Sequence, residues 1–154
     1  MKNWSYAVLL VLLASMLVVG VALAQVAVTD DTYVQQANPG DSFGSQDTLR
    51  VRSGGLASCD VAELTYLKFD LSTVSEAATS NATLFLDVVS FLSGSNGTMH
   101  LYAVSDEVAG GGTAWNESGL TYNTAPLPAG SSLATVPVPT AAGEVQFTSA
   151  ALAT

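Results

Sequence analysis

Arg50, Arg52 and Lys68 fall within nineteen residues of one another, and no other cation follows Lys2. The arginines alternate with Leu49 and Val51, and Lys68 alternates with Leu67 and Phe69. A period of two therefore puts all three cations on the non-core face of two neighbouring strands. If those strands pair antiparallel through the loop 54–63, the cations gather beside Tyr66. Guanidinium forks take a carboxylate through two parallel hydrogen bonds, and an exposed tyrosine ring matches the C–H face of a pyranose. Arg50, Arg52, Tyr66 and Lys68 together would suit an acidic sugar. The plainer alternative is surface pairing with Asp70 on the same face. Tyr102 is a second tyrosine that parity turns outward, and it joins these four as a candidate carbohydrate contact.

Asp30, Asp31, Asp47, Asp106 and Glu117 offer hard oxygen ligands near expected strand ends, where backbone carbonyls are also free. They are the candidate ligands of one structural calcium ion; the alternative is that all five are simply solvated. No other cofactor is indicated. Catalysis has little support: His100 is the single histidine, and neither G-x-S-x-G nor H-E-x-x-H occurs. Nothing singles out one carboxylate pair for glycoside hydrolysis, so no catalytic residue is assigned and the chain reads as a non-enzyme. Trp115 and Tyr122 lie in a Gly- and Asn-rich stretch, where Trp115 is expected to anchor the loop rather than to meet a ligand. Cys59 is the only cysteine, which excludes an intrachain disulfide.

The elements that must position these groups are short strands. Alternating apolar runs at 26–28, 32–36, 48–53, 64–71, 81–90, 97–104, 133–138 and 144–148 are separated by Gly, Ser, Asn and Pro, the pattern of a sandwich or barrel. Parity puts Leu49 and Val51 inside, as well as Leu67, Phe69 and Leu71, and leaves Tyr66, Lys68 and Asp70 outside. It also buries Leu84, Leu86 and Val88, and turns His100 and Tyr102 away from Met99, Leu101 and Ala103.

The N-terminus has a short basic segment, an uncharged apolar run over 7–24 and an Ala-Leu-Ala end before Gln25. This predicts a cleavable signal peptide over 1–24 and one exported domain over 25–154 with no stable membrane insertion. Loss of Lys2 leaves three cations against thirteen carboxylates, which argues against nucleic acid or an anionic membrane as partner. The expected location is secreted or at the cell surface.

Six segments occur in a specific order: DTYV at 31–34, FGSQDTLRV at 43–51, YLKFDLS at 66–72, NATLFL at 81–86, LYAV at 101–104 and WNESGLTYNTAP at 115–126. In order and spacing the chain resembles the DNRLRE-domain family, which overlaps carbohydrate-binding module family 96. The resemblance implies an all-β jelly-roll β-sandwich, used as an accessory module of secreted polysaccharide-active enzymes and surface proteins, some of which bind alginate-like anionic polysaccharides. Family members usually continue with further strands and carry a literal DNRLRE hexapeptide, so the resemblance also implies a sandwich lacking its last strands. The expected function is non-catalytic binding of a polysaccharide or cell-surface glycan. The alternatives are a structural or adhesive surface module and the accessory part of a larger enzyme.

Overall fold

A computed structural model describes residues 25–52, 62–72, 74, 81–91, 97–128 and 130–150. The expected leader at 1–24, the turn at Gly54 and Gly55, and Cys59 lie outside the described residues. Every regular element among the described residues is a strand: β1 (Val28–Gln35), β2 (Glu63–Phe69), β3 (Ala82–Val88), β4 (Thr98–Leu101), β5 (Ala134–Pro137) and β6 (Gly143–Ser149). They pair antiparallel as β1 with β2, β3 with β6, and β4 with β5.

Alternation sets the register of the two later pairs. In β3 and β6, Leu84 lies opposite Phe147 and Leu86 opposite Val145, and Phe147 is buried. The other face carries Phe85 opposite Gln146 and Asp87 opposite Glu144 in solvent. The Thr83 and Thr148 hydroxyls meet there at 2.9 Å, a cross-strand pair of the kind that stabilises a ladder. In β4 and β5, Met99 opposite Val136 and Leu101 opposite Ala134 make the half-buried face. His100 opposite Thr135 and Thr98 opposite Pro137 face water.

The β1–β2 ribbon is covered on both faces, and this overturns the expected burial of β2. Residues opposite each other in an antiparallel pair project to the same side. Thr32 pairs with Tyr66 and Val34 with Leu64 on one side, while Tyr33 pairs with Thr65 and Gln35 with Glu63 on the other. The first side meets the loop 102–126, and Val34, Tyr66, Trp115, Leu120 and Ala125 form its buried core. On the second side Tyr33, also buried, stacks on Phe43 at a centroid distance of 4.7 Å. Tyr66 is thus a core residue, 5% exposed, and Leu71, expected inside, is 60% exposed. Parity separated the two sets of side chains correctly, but the amphipathic set faces the core. Tyrosine and lysine can bury an apolar body when the polar tip finds a partner. Here the Tyr66 hydroxyl donates to the Pro126 carbonyl at 2.9 Å.

Burial pushes the Tyr66 phenol up to about 12, and the neighbouring Tyr122 phenol adds to the shift. The ordinary value is 10.0, so the folded chain holds this proton across the interval between the two values. The stabilisation is fully present below the ordinary value and is lost as pH rises through the folded one. Urea denaturation at stepped alkaline pH is expected to show stability falling across that window. In Tyr66→Phe the fall should flatten, while stability at neutral pH drops by about 1 kcal/mol with the bond to Pro126. An unchanged alkaline slope in the variant would dismiss Tyr66 as its source.

Candidate functional site

The expected strand at 48–53 does not form among the described residues. Its place is taken by a single bridge, in which the Arg52 and Glu63 backbones exchange hydrogen bonds of 3.0 Å. Beside it the Thr65 hydroxyl donates to the Arg50 carbonyl at 2.8 Å. These bonds lay residues 50–52 along the edge of β2. Val51, expected inside, is 64% exposed, because one bridge holds the segment against β2 without turning a continuous face inward.

Arg50 is held from two directions. Its guanidinium carbon lies 5.3 Å from the centre of the Tyr33 ring, a cation–π approach. One of its terminal nitrogens is 3.9 Å from Glu63 Oε1. That carboxylate oxygen also accepts a 2.8 Å hydrogen bond from Gln35 Nε2, and Asn38 Nδ2 donates in turn to Gln35 Oε1 at 2.9 Å. Arg50 remains half-exposed at 52% of its side chain. A guanidinium has five donors, and one long ion pair leaves most of them for an incoming acceptor. Arg52 lies next to it, and among the described residues no carboxylate reaches ion-pair distance of its guanidinium. Arg52, Glu63, Gln35, Ala37 and Ala62 line a shallow open depression of about 60 Å³.

Lys68 does not join this edge, which corrects the expected three-cation patch. It is on the Tyr66 side of β2, where its ammonium donates to the Trp115 carbonyl at 2.7 Å and sits 4.6 Å from the Trp115 ring centre. The patch assumed that Arg50 and Lys68 share a face of the ribbon. Arg50 instead lies over Tyr33, which projects to the opposite side. Tyr66 is likewise unavailable for sugar stacking: its ring is in the core, its centre 6.1 Å from that of the Trp115 ring with the two planes at 73°. Trp115 anchors its loop as expected, being 3% exposed.

The five acidic candidates do not gather into one ligand set. Asp30 Oδ1 accepts from the Glu117 backbone N–H at 3.4 Å, so these two residues are neighbours. Asp31 is half-buried in β1, and Asp47 and Asp106 are exposed in separate loops. Among the described residues no three His, Cys, Asp or Glu side chains gather where they could hold a metal ion.

Tyr102 faces outward as expected, 38% exposed. It is not alone. The exposed His100 ring lies 6.0 Å from the Tyr102 ring and within 17° of parallel to it.

A family model described as carbohydrate-binding module family 96 matches residues 22–149. The chain belongs to carbohydrate-binding module family 96. No curated protein and no solved structure matches it. The match spans the three strand pairs of the described residues, the arginine edge, and the His100–Tyr102 pair.

Sequence reasoning passed over four residues of the module's arginine edge: Tyr33, Gln35, Asn38 and Glu63. Three of them sit on or just beyond β1, far from Arg50 in sequence, and only the β1–β2 register brings them there. Glu63 had a weak signal, as the first residue of a strand that follows the arginine segment. His100 had a stronger one, since it is two residues before Tyr102 and therefore shares its face.

Proposed function

We propose that this family 96 module is a non-catalytic, exported β-sandwich of jelly-roll type that binds an acidic, uronate-containing polysaccharide through Arg50 and Arg52, after removal of residues 1–24. The observation that carries this reading is the half-exposed Arg50 guanidinium, oriented by Tyr33 and only loosely paired with Glu63. An arginine satisfied by a tight bidentate carboxylate would have little left for a ligand; this one is pre-oriented and still open. Fixing the guanidinium before binding lowers the ordering cost that a free side chain would meet. Arg52 adds a second positive charge at the same edge of an otherwise acidic chain. The field is local, so binding should weaken as salt rises. The depression between Arg52 and Glu63 offers a carboxylate acceptor for sugar hydroxyls next to the guanidinium that takes the sugar carboxylate.

Affinity electrophoresis through alginate and pectate gels tests this directly. Arg50→Ala is expected to weaken binding about tenfold or more, as charge-assisted hydrogen bonds contribute about 1.5–3 kcal/mol. Arg52→Ala should act in the same direction, and added salt should reduce retention of the unmodified chain. Lys68→Ala serves as the contrast: it should lower the melting temperature by releasing the Trp115 loop and leave retention of the folded fraction unchanged. Unchanged retention of both arginine variants would shift the reading to a structural or adhesive module, or to a glycan held elsewhere.

A further inference from the structure

We propose that His100 and Tyr102 form a stacking platform for a neutral hexopyranose chain, separate from the arginine edge. This rests on the carbohydrate-binding reading but uses a different strand pair. The two rings lie on the solvent face at the end of β4, 6.0 Å apart and 17° from parallel. A saccharide meets such a surface with the axial C–H groups of its ring, while its equatorial hydroxyls point outward to polar neighbours. Those neighbours are present on the same exposed face. Thr135 lies directly opposite His100, and Thr98 is two residues before it. Pro137, opposite Thr98, adds an exposed apolar ring to the same face. The imidazole nitrogens and the Tyr102 hydroxyl add donors and acceptors at the ring edges.

Charge decides the class of sugar. The three cations past Lys2 are Arg50, Arg52 and Lys68. Arg50 sits over Tyr33, Arg52 is bridged to Glu63, and Lys68 is bound to the Trp115 carbonyl. All three therefore belong to the β1–β2 region. Among the described residues each cation–ring contact is made to Tyr33 or Trp115 and none to His100 or Tyr102, and a uronate laid on these two rings would stand on a chain of net charge −9. A neutral pyranose incurs no such repulsion.

His100 is the chain's only histidine, so its ring protons give one resolved NMR reporter. Titration of the purified chain with cellohexaose, mannohexaose and an alginate hexasaccharide is the test. At least one neutral hexasaccharide is expected to shift the His100 and Tyr102 ring resonances saturably. His100→Ala and Tyr102→Ala should each weaken that binding roughly fivefold to tenfold. Tyr102→Phe should keep most of it, and Arg50→Ala should leave it unchanged. Both rings are exposed, so the variants should keep the parental melting temperature, which shows that any loss is local. If the chain binds one of the glycans while both ring resonances stay fixed and both alanine variants bind normally, the platform is refuted and the carbohydrate reading stands. Shifts at His100 caused by the alginate hexasaccharide alone would overturn the neutral assignment. No binding to any of the three, with none to alginate or pectate gels, would overturn both readings.

Discussion

Trp115→Ala is expected to lower stability by about 3–5 kcal/mol, the usual cost of truncating a buried aromatic. That is a large share of the roughly 5–15 kcal/mol that holds a domain folded. The ring is 3% exposed and packs with Val34, Tyr66, Leu120 and Ala125. It also carries the Lys68 ammonium at 4.6 Å, and the Trp115 carbonyl takes that ammonium's hydrogen bond. Removing the ring opens a cavity under the loop and takes away the surface against which Lys68 is desolvated. The loop keeps other ties, such as the Tyr66 hydroxyl to the Pro126 carbonyl and the Asn123 N–H to the Pro39 carbonyl, but among the buried side chains of this cluster Trp115 is the largest. Trp115→Phe should cost much less. The buried indole N–H finds no partner among the described residues, and phenylalanine removes that unsatisfied donor along with some volume. Urea titration of both variants checks the order, with the alanine midpoint displaced far more than the phenylalanine midpoint. A loss below about 1 kcal/mol for Trp115→Ala would mean that the loop docks without its anchor.

What was legible in the residues depended on whether an element has one dry face or two. In β3 one face meets solvent, and alternation put Leu84, Leu86 and Val88 on the right side with Phe85 and Asp87 outside. The same held for His100 and Tyr102 near β4. The β1–β2 ribbon is covered on both sides, so the aliphatic set of β2 was no guide to which side forms the main core. Of the expected strands at 26–28 and 32–36, Val28 and residues 32–35 fall in one element, because Asp30 and Asp31 carry the ladder opposite Lys68 and Leu67 past an irregularity after Val28. The segment at 48–53 alternates well but has one bridged partner among the described residues; periodicity reports which way side chains point and says nothing of where the backbone finds hydrogen bonds. For the same reason the candidate site came through in part. Arg50 and Arg52 are neighbours in the chain and remain neighbours in space. Lys68 and Tyr66 depended on a long-range choice of face, and that choice went the other way. The family membership was carried by the ordered segments, several of which the fold brings into mutual contact.

The clearest of those contacts predicts the second large effect. FGSQDTLRV and WNESGLTYNTAP meet where Gly44 passes the backbone of Glu117 so closely that an added Cβ would run into the Glu117 carbonyl. The approach is fastened on either side. The Ser42 hydroxyl donates to the Glu117 carbonyl at 3.1 Å, Ser42 forms a bridge with Thr121, and the Asn123 N–H donates to the Pro39 carbonyl at 3.0 Å. The obstacle is main chain rather than the end of a flexible side chain, so it cannot swing away. Gly44→Ala therefore has to separate the two segments and break the Ser42 contacts, and is expected to cost about 1–3 kcal/mol, with Gly44→Val at or above the top of that range. Gly40 is the control. It lies four residues earlier, a Cβ added there would meet no atom within 4 Å, and its φ is not positive. Gly40→Ala should be neutral or slightly stabilising, because alanine restricts the unfolded chain more than glycine does. Denaturation midpoints for Gly40→Ala, Gly44→Ala and Gly44→Val should fall in that descending order. Because residues 50–52 follow directly from this clasp, the Gly44 variants should also loosen Arg50 and weaken alginate retention, whereas Gly40→Ala should not. Equal midpoints for the two alanine variants would show that the segments do not approach each other this closely in solution.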